Sequence, residues 1–231
     1  MLRKFNDLPK FMQNDDVKKY YDILHKKRFG LFIKRVFDIV VSLILLIVFS
    51  PLLLIISLLI KIDSKGPVFY RQSRITRYGK EFRIFKFRTM IVGADKKGSL
   101  VTLKDDDRIT RVGNKIRKIR LDELPQLLNV FIGDMSFVGT RPEVKKYVDC
   151  YSDEMSATLL MAAGITSDAS IMYKDEDKVI EKYLKNGEKV DDIYVKRILP
   201  EKMKYNLDYI KKFNVFRDLK ICVNTVVKVG K

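Results

Sequence analysis

The chain has 231 residues with two cysteines and one histidine, and its 46 lysines and arginines against 29 aspartates and glutamates give a formal net charge of +17. Two cysteines exclude a disulfide framework, and a single histidine argues against a histidine-based zinc site or catalytic triad. The excess of cations predicts attraction to a polyanion: nucleic acid, a phosphorylated substrate or an anionic lipid surface.

The first 33 residues mix basic side chains with large apolar ones. The apolar members are Phe5, Leu8, Phe11, Met12, Tyr20, Tyr21, Ile23, Leu24 and Phe29. This mixture predicts an N-terminal arm, residues 1–33, of short amphipathic helices that lie on anionic lipid. A loosely ordered arm is the alternative.

An uncharged run of 22 residues extends from Ile39 to Ile60. A membrane-spanning helix needs about 20 apolar residues, so the run predicts contact with lipid. Ser50 and Pro51 lie at its midpoint, where proline removes a hydrogen-bond donor and predicts a kink or a break. Each half would form about 16 Å of helix, which reaches only the middle of a hydrocarbon layer of about 30 Å.

Basic residues flank this run on both sides, with Lys34 and Arg35 before it and Lys61 and Lys65 after it. Because cytoplasmic flanks are enriched in lysine and arginine, both ends are expected on the cytoplasmic side, as in a helix that enters, turns and leaves. Pattern alone nevertheless favours a kinked single-pass anchor, since prolines are tolerated in spanning helices.

A β-hairpin is predicted after the membrane run, with strands near 68–70 and 82–88 separated by a turn at Gly79. Alternation along the second strand places Ile84, Lys86 and Arg88 on one face. Two cations therefore share that face.

Two further segments follow the hairpin. Residues 93–108 lack periodicity and predict a loop, in which the acidic run from Asp105 to Asp107 favours a solvated surface over a metal site. From 114 to 131 the apolar pattern is helical, with an interruption at Pro125 that places Asp122 as the N-cap of a new helix.

The C-terminal region predicts two amphipathic helices, the second capped by Asn214. Their apolar faces can pack on the core or lie on the bilayer. The residues that define the faces are Leu207, Ile210, Phe216, Leu219, Val223 and Val226.

Asp122 and Glu123 are adjacent carboxylates with arginines on both sides, Arg117 and Arg120 before them and Arg141 after them. Arginines bind phosphate oxygens, and a carboxylate can bind Mg²⁺ or attack phosphorus, so the pattern is typical of phosphate chemistry. An acidic helix cap is the simpler interpretation, and spacing alone favours it. Pattern therefore leads to a basic, membrane-bound α/β protein with a candidate phosphate site.

Several short motifs follow one another from about residue 34 to the C-terminus. They are Lys34-Arg35-Val36-Phe37-Asp38, Ser50-Pro51, Gly66-Pro67-Val68-Phe69, Lys86-Phe87-Arg88-Thr89-Met90, Asp122-Glu123-Leu124-Pro125-Gln126-Leu127, Gly133-Asp134-Met135-Ser136-Phe137-Val138-Gly139 and Arg141-Pro142-Glu143. In this order they resemble the bacterial sugar transferase family, the monotopic phosphoglycosyl transferases that start glycan assembly on a polyprenyl-phosphate carrier.

The resemblance implies an α/β fold: a small, mostly helical catalytic domain with a β-hairpin, a re-entrant membrane helix broken at Ser50-Pro51, and amphipathic interfacial helices. It divides the chain into the arm at 1–33, the membrane helix at 34–62 and the catalytic domain at 63–231. That domain would lie on the cytoplasmic face of a bacterial inner membrane. The family's re-entrant segment reverses the preference for a spanning anchor.

The resemblance also implies a two-step transfer of a sugar 1-phosphate from a UDP-sugar to polyprenyl phosphate, such as undecaprenyl phosphate, for capsule, exopolysaccharide, O-antigen or glycoprotein glycan assembly. Asp122 would attack the phosphorus that bears the sugar and form a covalent aspartyl-phosphosugar, which polyprenyl phosphate then displaces. Glu123 would be its partner, and both carboxylates would hold Mg²⁺. The implied phosphate-binding cations are Lys86, Arg88, Arg117 and Arg141.

Two other functions are weighed against this one. A membrane-tethered nucleic-acid-binding protein would suit the charge, but the sequence shows no DNA- or RNA-binding signature, and the resemblance implies no nucleic-acid partner. A catalytically dead assembly scaffold of the same family is opposed by the intact acidic pair. The sequence does not decide whether the protein forms a homodimer.

The chain departs from the family pattern at three places. Ala163-Gly164-Ile165-Thr166-Ser167 stands where the family has Pro-Gly-Ile-Thr-Gly, and Thr140 stands where proline is usual. The stretch from Lys174 to Pro200 is longer and more polar than in compact members, and the sequence assigns it no role.

Overall fold

The computed structural model of the chain describes residues 2–94, 107–173, 176–184 and 187–229, and this part is mostly helical. Asp105 and Asp106 of the predicted loop lie outside the described residues. The helices are α1 (Asp15–Lys26), α2 (Arg28–Asp63), α3 (Arg111–Lys118), α4 (Gln126–Ile132), α5 (Lys145–Val148), α6 (Asp153–Ser156), α7 (Asp168–Met172), α8 (Glu176–Leu184), α9 (Val190–Ile193), α10 (Leu199–Lys211) and α11 (Val215–Val229). The strands are β1 (Phe69–Ile75), β2 (Glu81–Phe87), β3 (Met135–Val138) and β4 (Ala163–Thr166).

The four strands form two separate two-stranded sheets. β1 and β2 are antiparallel, so the predicted β-hairpin is confirmed. β3 and β4 are parallel and were not predicted, because four residues are too few to show a pattern. Beyond β3 the backbones touch: a Cβ on Gly164 would lie 2.1 Å from the backbone nitrogen of Gly139. Only glycine allows this approach.

α2 is long and apolar enough to cross a membrane, and it is the one such helix among the residues described here. It runs through Pro51 without an interruption, so the predicted break is not seen as a gap in the helix. The Ser50 hydroxyl donates a hydrogen bond to the Ile47 carbonyl at 2.8 Å. Helical continuity keeps most backbone groups hydrogen-bonded in an apolar environment. The re-entrant path stays a prediction.

Both halves of α2 contact the rest of the domain. In the first half, Asp38 is 3% exposed and accepts a hydrogen bond from the Phe137 backbone N–H at 3.1 Å. In the second half, Ile56 and Ile60 are buried against Phe87 of β2. The outward face stays apolar and exposed at Val40, Leu43, Ile44, Ile47, Val48, Leu54, Ile55, Leu58, Leu59 and Ile62.

The N-terminal segment belongs to the core. Met12 and Leu24 are fully buried and pack in one cluster with Leu160 and Ile210. The Tyr20 hydroxyl also donates a hydrogen bond to Glu154 at 2.5 Å. The predicted short helices form, the alternative of a loose arm is wrong, and contact of the segment with lipid stays a prediction. The apolar face of α1 is covered by α10 and the segment that precedes β4.

The two predicted C-terminal helices differ in what they contact. α10 packs on the core through Leu207 and Ile210, whereas α11 leaves Phe216 and Val223 exposed. The predicted cap of α11 is confirmed, because the Asn214 side chain accepts a hydrogen bond from the Arg217 backbone N–H at 2.8 Å. The side chain of Val226 lies outside the described residues.

Burial of the N-terminal segment can be tested with two leucines. Leu24→Ala should lower the free energy of unfolding by about 2–5 kcal/mol, because it opens a cavity in the core. Leu54→Ala, at a leucine that is 62% exposed on α2, should cost less than about 0.5 kcal/mol. Unfolding midpoints in detergent micelles give the comparison. Equal midpoints for the two variants would contradict the packing of α1.

Candidate active site

The acidic pair lies in a 3₁₀ turn, Leu121–Glu123, that follows α3. Arg120 enters the turn in the left-handed conformation, with φ 55°, which reverses the direction of the chain. The prediction that Asp122 is a helix N-cap is wrong, because α4 begins only at Gln126 and Pro125 holds the cap position. Proline suits this helix start, and the turn before it leaves the Asp122 carboxylate free of a capping role.

Glu123 forms an ion pair with Lys86 of β2. The Lys86 Nζ lies 2.7 Å from the Glu123 Oε1, and only about a fifth of each side chain is exposed. Burial alone would raise the pKa of Glu123, but Lys86 and Arg141 outweigh burial and lower the pKa to about 2. Glu123 is therefore a fixed negative charge at neutral pH.

Asp122 is in a different electrostatic state. Burial raises the pKa of its carboxyl above the ordinary range, the negative Glu123 raises it further, and Lys86 and Arg117 offset only part of this. Within the described ranges no other side chain donates a hydrogen bond to Asp122. Two adjacent carboxyls thus have pKa values that are pushed apart, an arrangement that assigns different roles to the two groups.

A small open cleft lies next to this pair. Of the residues predicted for the site, Lys86, Glu123 and Arg141 line it. Asp122 follows as the neighbour of Glu123 in the turn, and Arg117 is close enough to lower the pKa of Asp122. The cleft therefore brings together acidic and cationic groups from β2, the 3₁₀ turn and the turn before α5.

Arg88 is not brought to this cleft. Its side chain is buried, and the guanidinium donates hydrogen bonds to the backbone carbonyls of Ser64 and Lys65 at 2.8 and 2.6 Å. β2 ends at Phe87, so the alternation that placed Arg88 beside Lys86 no longer applies. This geometry supports a structural role at the end of α2 and does not support phosphate binding.

Six further residues that sequence reasoning did not assign to the site line the cleft: Arg74, Ile84, Gln126, Pro142, Gly164 and Ile165. The hairpin register contains the signal for Arg74. Arg74 lies opposite Phe82, and residues that lie opposite each other share a face of the sheet. Phe82 and Lys86 are four residues apart on β2 and also share a face, so Arg74 and Lys86 project from the same side. Gly164 and Ile165 belong to β4, and nothing in their local pattern points to the cleft.

The carboxylates fit a divalent cation that is completed by substrate. Among the described residues no group of three or more acidic, histidine or cysteine side chains converges. Mg²⁺ is commonly held by one or two carboxylates together with substrate phosphates, and Asp122 and Glu123 supply such a pair beside the cleft. Asp122 and Glu123 alone do not complete the coordination of a metal ion, so substrate phosphates and water would supply the other ligands.

Comparisons with known proteins give a matching family model and several similar sequences. A family model described as bacterial sugar transferase matches residues 29–231. A UDP-N-acetylgalactosamine-undecaprenyl-phosphate N-acetylgalactosaminephosphotransferase of Aeromonas hydrophila is 35% identical over 173 residues, 74% of this chain and 37% of that protein. A UDP-glucose:undecaprenyl-phosphate glucose-1-phosphate transferase of Caulobacter vibrioides is 38% identical over 173 residues, 74% of this chain and 59% of that protein.

An uncharacterized sugar transferase of Bacillus subtilis is 36% identical over 173 residues, which are 74% of each chain. The chain thus spans less than two thirds of the length of the Aeromonas and Caulobacter relatives. The match to the Bacillus relative, in contrast, covers about three quarters of both proteins.

The ion pair predicts a pH-dependent stability. With a pKa near 2 in the folded state and 4.5 as its ordinary value, Glu123 stabilises the fold above pH 4.5, and this stabilisation is lost as the pH falls towards 2. Lys86→Met should raise the pKa of Glu123 and remove the effect. The difference in unfolding temperature between the wild type and this variant should therefore narrow from pH 4.5 to pH 2.

Lys80→Met is the matched control, because Lys80 is an exposed lysine of the same hairpin that pairs with Asp134. Its difference from the wild type should not narrow in this pH range. The measurements are made without divalent cations. A constant difference for Lys86→Met between pH 4.5 and pH 2 would contradict the low pKa of Glu123.

Proposed function

Because the chain belongs to the bacterial sugar transferase family, we propose that it transfers a sugar 1-phosphate from a UDP-sugar to undecaprenyl phosphate. The names of the Aeromonas and Caulobacter relatives agree on a UDP-sugar and on undecaprenyl phosphate and differ in the sugar. The observation that carries the proposal is the acidic pair beside the cationic cleft, in which Glu123 is ion-paired with Lys86 and Asp122 has no such partner among the described residues.

Asp122 is the proposed nucleophile. In the first step a carboxylate oxygen of Asp122 forms a bond to the phosphorus that bears the sugar, and the bond from that phosphorus to the UMP oxygen breaks. UMP leaves with the electron pair. In the second step an oxygen of undecaprenyl phosphate attacks the same phosphorus, and the bond to Asp122 breaks. The free carboxylate and undecaprenyl-diphospho-sugar result.

The raised pKa of Asp122 suits this role, because a more basic carboxylate is a better nucleophile while it is ionised. Lys86 keeps Glu123 engaged, so Glu123 does not compete for phosphorus. Glu123 instead contributes its charge, which holds the pKa of Asp122 up. The two carboxyls thus have separate tasks, which supports a covalent mechanism on Asp122.

Cations are needed because a carboxylate and a diphosphate repel each other. Lys86 and Arg141 line the cleft and Arg117 lies near Asp122, so these side chains would bind the phosphate oxygens. Mg²⁺, held by Asp122 and Glu123, would neutralise further charge on the diphosphate. Arg74 would add a fourth cation at the wall of the cleft.

The proposed chemistry is tested with a panel of UDP-sugars, undecaprenyl phosphate and Mg²⁺. Asp122→Asn should lower UMP release by at least about a thousandfold, because the amide is not a nucleophile. It should also abolish the added mass of a phosphosugar on the intact protein. Asp149→Asn, at an exposed aspartate paired with Lys145, should leave both readouts unchanged. Full turnover by Asp122→Asn would refute the covalent mechanism.

We further propose that α2 is re-entrant and that the catalytic domain lies on the cytoplasmic face of the inner membrane. Both halves of α2 contact that domain, as Asp38 and Ile60 illustrate. α11 adds a second exposed apolar face with Phe216 and Val223, and basic residues flank the apolar run of α2 and suit anionic headgroups. This placement would bring the phosphate of the lipid carrier to the height of the cleft.

Cysteine labelling distinguishes re-entry from spanning. In a Cys150→Ser, Cys222→Ser background, Lys26→Cys and Lys65→Cys place single thiols before and after α2. Both should react with a membrane-impermeant maleimide in inverted vesicles and not in spheroplasts. Lys145→Cys marks the side of the catalytic domain. Labelling of one thiol of the pair from the periplasmic side would show that α2 spans the membrane.

A further inference from the structure

The described part of the stretch from Lys174 to Pro200, to which the sequence assigns no role, belongs to a second core. Ile193 of α9 and Ile198 are fully buried and pack with Met203 of α10 and Tyr147 of α5. Between α9 and α10 the chain makes a π-helical turn, Tyr194–Ile198. π-Helical turns are rare in proteins, and many of those that occur lie at functional sites. This stretch therefore has a defined position against α5.

Tyr194, the first residue of the π-helical turn, reaches the turn that carries Arg141. Its hydroxyl donates a hydrogen bond to the Glu143 Oε1 at 2.6 Å, and each residue is only 6% exposed. Glu143 directly follows Arg141 and Pro142 in the sequence. A buried carboxylate needs hydrogen-bond donors, so the Tyr194 hydroxyl stabilises Glu143 in place.

The same stretch has a second set of contacts, which are made with α5. Asp191 of α9 accepts a hydrogen bond from the Tyr147 hydroxyl at 2.7 Å and pairs with Lys146. The rings of Tyr147 and Tyr194 stack with their centroids 4.5 Å apart. The Tyr147–Asp191 hydrogen bond thus fastens the stretch to α5, whereas the Tyr194–Glu143 hydrogen bond fastens it to the Arg141 turn.

The Arg141 turn is fixed to the sheets mainly through its backbone. The Thr140 carbonyl accepts from the Gly164 N–H at 2.9 Å, and the Pro142 carbonyl accepts from the Arg74 Nη1 at 3.1 Å. The guanidinium of Arg74 is also close enough to Glu143 to interact with it electrostatically. Without the Tyr194 hydroxyl, Glu143 would draw on the other groups near it, among them Arg74, and a shift of Arg74 towards Glu143 would release the Pro142 carbonyl.

We propose that Tyr194 and Glu143 are positioning residues for Arg141, so that the 174–200 stretch sets the orientation of a phosphate-binding arginine from outside the cleft. The inference rests on the proposed function, because Arg141 acts on the phosphates of the UDP-sugar there. Neither residue touches the substrate. Their effect passes through the turn from Thr140 to Glu143.

Tyr194→Phe removes only the hydroxyl and keeps the stacked ring. It should lower kcat/KM for the UDP-sugar that the wild type uses by about tenfold, because Arg141 is less well placed. Tyr147→Phe is the matched control, since it removes a hydroxyl from the same core cluster that is bonded to Asp191 instead of Glu143. It should leave kcat/KM unchanged.

A double variant separates positioning from a general loss of structure. In an Arg141→Ala background, Tyr194→Phe should bring no further loss of kcat/KM, because its effect acts through the arginine that is absent. Losses that multiply in the double variant would overturn the inference. So would wild-type kinetics in Tyr194→Phe.

Amide hydrogen exchange at Ile75 and Gly164 gives a readout that needs no turnover, because these N–H groups donate to the Glu143 and Thr140 carbonyls of the turn, both at 2.9 Å. Tyr194→Phe should speed exchange at these two amides, and Tyr147→Phe should not. If the wild type released no UMP from any UDP-sugar, the proposed function would fail. The exchange measurement would still decide whether Tyr194 holds the Arg141 turn. Unchanged exchange in Tyr194→Phe would overturn the inference whether or not the wild type is active.

Discussion

The ion pair between Lys86 and Glu123 is the interaction on which the candidate site depends. It joins β2 to the 3₁₀ turn after α3, two elements that are separated by more than thirty residues of sequence. It also makes two adjacent carboxyls unequal, since one is held as an anion and the other is left with a raised pKa. A mutual charge effect of this kind makes the pair titrate as a unit, so neither carboxyl can be altered without changing the other.

A second, buried network fixes α2 to the rest of the domain. Asp218 of α11 accepts hydrogen bonds from the Lys34 Nζ and from the Tyr209 hydroxyl, each at 2.6 Å. Buried charges are costly to desolvate, and removal of one partner leaves the other uncompensated. The pair therefore holds α2 and α11 in one relative orientation.

Local signals in the sequence were sufficient where the structure is local. The hairpin and the Asn214 cap depend on neighbours within a few residues, and both are confirmed. The Asp122 cap was wrong because a 3₁₀ turn and a proline can begin a helix as well as an acidic cap can. Alternation misled at Arg88, because nothing in the sequence marks Phe87 as the end of the strand. Arg74 needed the hairpin register, and β4 needed its distant partner β3.

The packing of α1 shows that the family match, which begins at residue 29, does not mark where the folded unit begins. Leu24 is buried beside Ile210, so the two ends of the chain complete one core. On a ribosome that adds about 5–20 residues per second, Ile210 follows Leu24 by about 10–40 s. In that interval α2 has already left the ribosome and can enter the lipid. The apolar side of α1 stays uncovered until α10 has been synthesised and packs against it.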